Sequence, residues 1–355
     1  MMQRTIAGLI LMVLLSLLDS APTRAAQTQG GLDALNEGLK LHEAGKPKEA
    51  IRAYDRAIKA NPKLAEAYFN RGNAHYDLGQ NAQALRDYNE VLRFNPKDTE
   101  ALYNRGNTNR RLKKDDLALK DFAAAIKLNP DDAKLYVNRG AIHFDAKRYD
   151  LAVKDYSEAI RLDPKNPENY YNRGNGLLAL DKKEDAIKDY DQALTLDAAL
   201  TEAYYNRGIA RADAGQYDRA IQDFSQVLNL SPKSAHAFYN RALAKTKLGQ
   251  HEAAIEDYSE AIRLDPKDPE AAFNRGLAYL KTEKYDRAAR DFTEVILIQP
   301  SNADAHVYRG ILRLYQKKNK DADADFKKAF QLNPGLKKKL QPIIDEARAK
   351  ARAKE

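Results

Sequence analysis

Residues 65–98 read AEAYFNRGNAHYDLGQNAQALRDYNEVLRFNPKD, and the same spacing of small, aromatic and proline residues returns every 34 residues. Glycine or alanine, for example, recurs at residues 38, 72, 106, 140, 174, 208, 242, 276 and 310. A fixed period of this length is typical of an array of one repeated helical unit, in which each unit contacts mainly its neighbours. We therefore expect function on a long surface rather than in the pocket of a single-core domain.

Nine units fit the chain without insertion, starting at residues 31, 65, 99, 133, 167, 201, 235, 269 and 303. Counted from each start, position 8 is Gly or Ala, position 20 is Ala, position 24 is Tyr or Phe, and position 32 is Pro in eight units. Small residues let two helices approach closely, and position 24 lies one helical turn after position 20. The proline ends the second helix, because it lacks an N–H and disfavours helical geometry in the preceding residue.

This pattern resembles that of the tetratricopeptide repeat family, and the resemblance covers residues 31–336. It implies an all-α fold, a right-handed superhelical solenoid of helix-turn-helix hairpins. We name the two helices of each hairpin helix A and helix B. The resemblance also implies that positions 2, 5, 6, 9, 12 and 13 of helix A line the concave surface.

The chain begins with features of an export signal. Arg4 precedes an apolar run of 14 residues from Thr5 to Leu18, and Thr23 and Ala25 are small residues at the two positions that a signal peptidase reads. This run is shorter than the roughly 20 residues that span a bilayer, so we predict a signal peptide over residues 1–25 and a short linker over 26–30. The alternative is an uncleaved membrane anchor. The chain has no cysteine, so a periplasmic or secreted form would be stabilised by packing alone.

The formal net charge is +8, and residues 335–355 contribute half of it through seven basic and three acidic side chains. Nucleic-acid binding is not expected, because the repeats themselves carry little excess charge to form a basic stripe. Residues 337–355 are predicted to form a basic capping helix on the last repeat. The alternative is a basic helix that touches anionic lipid or an acidic partner, but Pro342 interrupts its pattern and favours the cap.

A charged pair recurs inside the repeats. Position 7 is Arg in eight repeats, position 23 is Asp in the same eight, and the first repeat has Glu37 and Ala53 instead. Since position 7 lies on helix A and position 23 on helix B, the pattern predicts an Arg–Asp pair that joins the two helices. We interpret this pair as structural, because Arg–carboxylate pairs orient the elements that they join.

Position 6 is asparagine along nearly the whole array and is our main candidate for ligand contact. An asparagine amide offers a donor and an acceptor that match the C=O and N–H of a peptide unit, so a column of them could hold an extended chain by its backbone. The alternative is that these amides stabilise the hairpins through local hydrogen bonds. The candidate residues are Asn70, Asn104, Asn138, Asn172, Asn206, Asn240 and Asn274.

Positions 5 and 9 supply the remaining candidates. Aromatic residues at position 5 are good interface anchors, and we select Tyr103, Tyr171, Tyr205, Tyr239 and Phe273. At position 9, Leu243 and Leu277 make the C-terminal half apolar, whereas Asn73, Asn107 and Asn175 make the N-terminal half polar. This asymmetry predicts one ligand direction or two adjoining binding sites.

The sequence gives no indication of an enzyme. The six histidines lack metal-binding spacing, and there is no cysteine nucleophile or phosphate-binding glycine loop, so no metal, cofactor or catalytic residue is predicted. We predict a non-enzymatic scaffold or adaptor that binds a peptide or protein on its concave surface, in the bacterial periplasm or cell envelope. The alternative is a membrane-peripheral or cell-surface component organised by its basic tail. The partner and the oligomeric state are not predicted.

Overall fold

The computed structural model describes residues 24–352, so the predicted signal peptide falls almost entirely outside the described residues. The chain divides into two compact units, unit 1 over Met1–Pro164 and unit 2 over Lys165–Glu355. Between Arg24 and Arg352 the structure is all-α, with 19 helices and no strand. Successive helices pack against each other as antiparallel hairpins within each unit, as the repeat pattern predicts.

The helix bounds follow the 34-residue period. Unit 1 contains α1 (Arg24–Glu43), α2 (Pro47–Ala60), α3 (Ala65–Asp77), α4 (Asn81–Phe94), α5 (Thr99–Arg111), α6 (Asp115–Leu128), α7 (Ala133–Asp145) and α8 (Tyr149–Leu162). Unit 2 contains α9 (Pro167–Ala179), α10 (Lys183–Leu196), α11 (Thr201–Asp213), α12 (Tyr217–Leu230), α13 (Ala235–Lys247), α14 (His251–Leu264), α15 (Pro269–Lys281), α16 (Tyr285–Ile298), α17 (Ala303–Tyr315), α18 (Asn319–Leu332) and α19 (Gly335–Arg352). From the second repeat onwards, helix A begins at the first residue of the unit.

Local sequence explains where each helix begins and ends. Asp98, at position 34, caps α5 by accepting a hydrogen bond of 2.9 Å from the Ala101 N–H. Position 15, between helices A and B, adopts the left-handed conformation, which Gly79 enters at φ +71° without steric cost. The following N–H, that of Gln80, then bonds back to the His75 carbonyl at 2.8 Å and closes the end of α3.

The small residue at position 8 lets the ring at position 24 lie on the backbone of helix A. A Cβ added at Gly72 would lie 2.8 Å from the fully buried Tyr88 ring, which is closer than side chains can approach. The alanine at position 20 is completely buried in all nine repeats. Both positions therefore fix how closely helices A and B pack, which explains why the sequence repeats them.

The last helix, α19, covers the end of unit 2. Ile344 and Ala347 are buried in a cluster with Leu314 and Phe326 of the ninth repeat, which is the packing of a capping helix. The expectation that Pro342 breaks the helical pattern is wrong, because α19 runs through Pro342 to Arg352. The proline side chain is exposed, so its ring causes no clash with the repeat that α19 covers.

Candidate binding surface on helix A

The predicted Arg–Asp pair is present in all eight repeats that carry it. In the sixth repeat, the Arg207 guanidinium donates to both oxygens of Asp223, with Nη2–Oδ1 at 2.6 Å, and the aspartate is buried. The same contact joins helices A and B in the pairs Arg71–Asp87, Arg105–Asp121, Arg139–Asp155, Arg173–Asp189, Arg241–Asp257, Arg275–Asp291 and Arg309–Asp325. Hydrogen bonds to Asp155 raise the pKa of Arg139, as expected for a guanidinium that stays charged beside a carboxylate.

The arginine at position 7 has a second partner, which was not predicted from the sequence. Nη1 of Arg71, which does not contact Asp87, donates to Asp55 of the preceding repeat at 2.6 Å. Nη1 of Arg241 donates in the same way to Ser225 of the preceding repeat at 3.0 Å. The acceptor always occupies position 25 of helix B, which is Asp, Asn, Ser or Thr in most repeats. One arginine therefore links helices A and B of its own hairpin and also bonds to helix B of the preceding hairpin. The recurrence of small polar residues at position 25 was the available signal.

A further donor at position 11 reaches the same aspartate in several repeats. Arg211 donates to Asp223 at 2.9 Å, and Lys245 lies 2.7 Å from Asp257. These aspartates are buried and fully engaged with cations of their own chain. Their arrangement is that of a structural network, which agrees with the interpretation from sequence.

The asparagines at position 6 lie half-buried on one side of the A helices, together with the residues at positions 2, 5, 9, 12 and 13. We call this surface the helix-A face. Asn240 donates one amide hydrogen to the Tyr205 hydroxyl of the preceding repeat at 2.9 Å and the other to the His236 carbonyl at 3.0 Å. Asn274 bonds in the same way to the Tyr239 hydroxyl and the Glu270 carbonyl.

The other members of the column follow related patterns. Asn138 donates to the Tyr103 hydroxyl at 3.3 Å and to the Lys134 carbonyl at 2.8 Å. Asn206 donates to the Tyr171 hydroxyl at 3.2 Å and to Asn175 Oδ1 at 2.9 Å. Asn70 donates to the Glu66 carbonyl and Asn104 to Asn73, while Asn172 lies half-buried on the same face of α9.

These contacts correct one part of the sequence interpretation. Both amide hydrogens of Asn138, Asn240 and Asn274 are used within the chain, so these amides cannot donate to a ligand. Their Oδ1 atoms accept no hydrogen bond from any described residue. These asparagines therefore present acceptors. The Tyr103 and Tyr205 hydroxyls, which accept from Asn138 and Asn240, each keep one proton to donate, whereas the Tyr239 hydroxyl already donates to Glu270 Oε2 at 3.1 Å.

The aromatic residues at position 5 serve two purposes. The Tyr205 ring packs against Phe224 of its own hairpin with ring centroids 5.9 Å apart, and Phe273 packs against Phe292 at 5.5 Å. These rings are nevertheless only half-buried, as are those of Tyr103, Tyr171 and Tyr239. They are therefore partly structural and partly available on the helix-A face.

Two of the polar residues at position 9 have a structural role that was not predicted from the sequence. Asn73 Oδ1 accepts from the buried Tyr88 hydroxyl at 2.7 Å, and Asn175 Oδ1 accepts from the Tyr190 hydroxyl at the same distance. Ile209 accompanies Phe224, which has no hydroxyl to satisfy, whereas Asn107 with Phe122 and Leu243 with Tyr258 do not follow this pairing. Part of the predicted asymmetry between the two halves therefore satisfies buried tyrosines.

Two grooves open on the helix-A face of unit 2. The first, which we call the apolar groove, has a volume of about 360 Å³ and contains Leu243 and Asn240 from the predicted set. Its other lining residues are Ile209, Ala212, Asp213, Tyr217, Phe224, Ala244 and Lys247. Leu277 lies outside this groove and packs, partly buried, against the cluster that contains Phe292.

The second groove, which we call the tyrosine groove, has a volume of about 390 Å³ and contains Tyr171, Tyr205 and Asn206 from the predicted set. Thr201, Glu202, Val227, Ser231, Ser234 and His236 complete its lining. The structure thus brings five of the predicted residues of unit 2 to the walls of two grooves.

The helix-A face of unit 1 is crossed by contacts between its own residues. Arg110 pairs with Asp145 at 2.9 Å, and His42 lies 2.7 Å from Asp77. The Arg111 guanidinium lies 3.5 Å above the centre of the Tyr76 ring. Because these polar groups satisfy one another, unit 2 is the better candidate for ligand contact.

No group of three or more His, Asp or Glu side chains in the described part of the chain could hold a metal ion. Between Arg24 and Arg352, no helix is long and apolar enough to cross a membrane. His75 and His143 at position 11 are half-buried, and burial lowers the pKa of His143. Repeat scaffolds of this kind are typically non-catalytic.

Models of the tetratricopeptide repeat match residues 99–132, 167–199, 201–234 and 269–302. A further model described as a TPR repeat matches residues 38–79, 72–113, 140–181 and 244–283. Together these matches cover more than half of the chain. No curated protein matches the chain at a significant level.

Solved structures show the same fold. The C-terminal part of a TPR repeat-containing protein from Cytophaga hutchinsonii aligns with a TM-score of 0.59 and 17% identity, over 67% of this chain and 97% of that one. A tetratricopeptide repeat protein from Parabacteroides merdae aligns with a TM-score of 0.50 and 26% identity, over 72% of this chain and 98% of that one. YrrB, described as a TPR protein with an unusual peptide-binding site, aligns with a TM-score of 0.46 and 27% identity, over 50% and 92% of the two chains. The YrrB alignment, at this TM-score, does not bear on where this chain binds a ligand.

Proposed function

Because this chain belongs to the tetratricopeptide repeat family, whose members generally mediate protein–protein interaction, we propose that it is a non-enzymatic scaffold or adaptor. It binds a peptide or protein partner on the helix-A face, with unit 2 as the main contact region. We further propose that it acts in the bacterial periplasm or cell envelope, after export by the signal at residues 1–25.

The observation that carries the binding proposal is the ladder of asparagines and tyrosines on the helix-A face. Within unit 2 it links Tyr171 to Asn206, Tyr205 to Asn240, and Tyr239 to Asn274 at distances of 3.2, 2.9 and 3.1 Å. The apolar groove and the tyrosine groove both open beside it. A regular polar ladder flanked by grooves supports recognition of an extended segment, with the grooves selecting individual side chains.

The hydrogen bonds within the ladder set the chemistry of this recognition. The asparagine oxygens can accept from N–H groups of an extended backbone, while the Tyr171 and Tyr205 hydroxyls can donate to its carbonyls. The Tyr239 hydroxyl already donates to Glu270. The donor and acceptor roles are therefore divided between two residue types, instead of residing on one amide as the sequence suggested.

Binding on the helix-A face is tested by truncating two leucines of helix A and, as a control, two leucines of helix B. In-cell crosslinking and mass spectrometry would compare the wild type with a Leu243→Ala/Leu277→Ala variant and with a matched Leu230→Ala/Leu297→Ala variant. The control leucines lie on helix B of the same unit and are 45% and 68% exposed. We expect crosslinks to the partner to be lost only in the first variant, with both variants equally folded by circular dichroism. Equal crosslinking by both would contradict binding on the helix-A face.

Export rests on Arg4, the apolar run from Thr5 to Leu18 and the small residues Thr23 and Ala25. The proposal predicts that the protein in the periplasmic fraction has the intact mass of a chain that begins at Ala26. A full-length mass in the membrane fraction would support the uncleaved anchor instead.

A membrane-peripheral role through the basic C-terminal helix has no specific observation in its favour. The buried residues of α19, Ile344 and Ala347, pack against the ninth repeat and are occupied by that contact.

A further inference from the structure

The tyrosine groove has an uneven chemical composition. The rings of Tyr171 and Tyr205, both half-buried, and the exposed Glu202 line it, and no lysine or arginine does. Val227 adds an apolar contact. Aromatic rings beside a carboxylate, without a competing cation, form a suitable environment for a positively charged side chain.

The hydrogen bonds at the groove point in the same direction. Both amide hydrogens of Asn206 are used, by the Tyr171 hydroxyl at 3.2 Å and by Asn175 Oδ1 at 2.9 Å. Its amide oxygen accepts no bond from the described residues. Because lysine and arginine side chains only donate hydrogen bonds, an acceptor oxygen next to a carboxylate suits them.

The surroundings of the groove carry a negative charge that the chain as a whole does not. Position 2 of helix A, at the edge of the helix-A face, is acidic and exposed in four of the five repeats of unit 2, at Glu168, Glu202, Glu270 and Asp304. Positions 1, 2, 5, 6 and 9 of these repeats contain no lysine or arginine, and Lys247 and Lys281 stand at position 13, at the other end of helix A. The charge of these side chains at the N-terminal end of the A helices is therefore opposite to the net charge of +8.

We propose that the tyrosine groove binds a lysine or arginine side chain of an extended partner segment, an inference that rests on the proposed binding of a partner to the helix-A face. The cation donates to the Glu202 carboxylate and to the Asn206 amide oxygen while its stem packs on the tyrosine rings. The Tyr171 and Tyr205 hydroxyls, which already accept from asparagines, donate their remaining protons to carbonyls of the segment.

The experiment selects binders from a displayed library of random 12-residue peptides, using the full mature protein. We expect lysine and arginine to be enriched among the selected peptides. Without residues 1–25, which carry Arg4, Arg24 and Asp19, the formal net charge is +7 (8 − 1). Such a protein would attract acidic peptides through its overall field, so enrichment of basic ones cannot arise from net charge.

The selected peptides are then measured by fluorescence anisotropy against two variants of equal charge. Glu202→Gln removes the carboxylate of the groove, and Glu256→Gln removes an exposed carboxylate on helix B of the same unit. We expect the first to weaken binding roughly tenfold, because a hydrogen bond to a charged group is lost, and the second to leave it within about twofold.

The outcomes separate this inference from the function on which it rests. The selected peptides could bind more weakly to the Leu243→Ala/Leu277→Ala or Tyr205→Ala variant, yet contain no excess of basic residues and bind Glu202→Gln as well as the wild type. That result would overturn the inference and leave the proposed function intact. Peptides that bind all these variants as well as the wild type would overturn both. A Tyr205→Phe variant, which keeps the ring, controls for loss of packing in Tyr205→Ala.

Discussion

The first and second repeats share one length and one helix pattern, yet one ends the array and the other lies inside it. Three positions on one side of helix A make the difference. Positions 3, 7 and 10 are Asp33, Glu37 and Lys40 in the first repeat, where Asp33 and Lys40 are exposed. In the second repeat, Ala67 and Ala74 at positions 3 and 10 are completely buried against the hairpin before them. A few side chains thus convert a stacking surface into a solvated end, as repeat arrays require for solubility.

The same comparison extends to the charged pairs. Glu37 at position 7 pairs with Arg56 at 2.5 Å, and both side chains are 55% exposed. Arg71 at the same position in the second repeat pairs with Asp87, which is only 5% exposed. The first repeat therefore replaces a buried pair, which is sensitive to disruption, with a surface pair that contributes little.

The largest effect on the free energy of unfolding is expected when the lysine at position 10 of the first repeat is introduced at position 10 of the second. Ala74→Lys buries an ammonium group at a position with no exposed area, and it should cost roughly 4 kcal/mol or more because no carboxylate is supplied. Lys40→Ala, at the same position of the first repeat, should change the free energy of unfolding by less than about 0.5 kcal/mol. Urea titration followed by circular dichroism measures both. Similar effects would mean that the two repeats do not differ as their exposure indicates.

The next effect comes from the ion pairs. Arg71→Ala leaves Asp87 buried without its main cation and should cost about 3 kcal/mol. Arg56→Ala, which removes the surface pair, should cost no more than about 0.5 kcal/mol. A double variant, Arg71→Met/Asp87→Leu, should recover most of the loss, because neither charge then remains unpaired. If the cost of the double variant in urea titrations equalled the sum of the costs of its two single substitutions, Arg71 and Asp87 would not be coupled.

The sequence alone predicted the helices and the contacts within one hairpin. The 34-residue period fixed where helix A begins, and the shared occurrence of Arg at position 7 and Asp at position 23 predicted their pairing. Both inferences compare residues of the same repeat. Contacts between hairpins were harder, because the bond from Arg71 to Asp55 joins residues whose proximity depends on how hairpins stack.

The sequence predicted that the candidate asparagines share one face of helix A, but it did not predict their hydrogen bonds. The asparagines do lie on the helix-A face, yet the role of the Asn240 amide depends on the Tyr205 hydroxyl 35 residues earlier. Similarly, Asn175 was interpreted only as making its part of the surface polar, because the sequence does not show that the buried Tyr190 hydroxyl bonds to it. An amide can donate and accept, so only its neighbours decide which of the two remains for a partner.

The smallest expected effect distinguishes two buried tyrosines at position 24. The Tyr88 hydroxyl donates to Asn73 at 2.7 Å, whereas the Tyr54 hydroxyl is buried and has no partner among the described residues. Tyr88→Phe should therefore cost about 1 kcal/mol, while Tyr54→Phe should be neutral or slightly stabilising.

Burial raises the pKa of Tyr54 from 10.0 to about 12, so the folded state keeps this proton after the unfolded chain has released it. The stability that depends on Tyr54 is then present below pH 10 and is lost as the pH rises to about 12, and Tyr54→Phe should flatten this decline in urea midpoints measured from pH 9 to 12. An equal decline in the variant, or an equal cost for both tyrosines at neutral pH, would show that the Tyr54 hydroxyl finds a partner in solution.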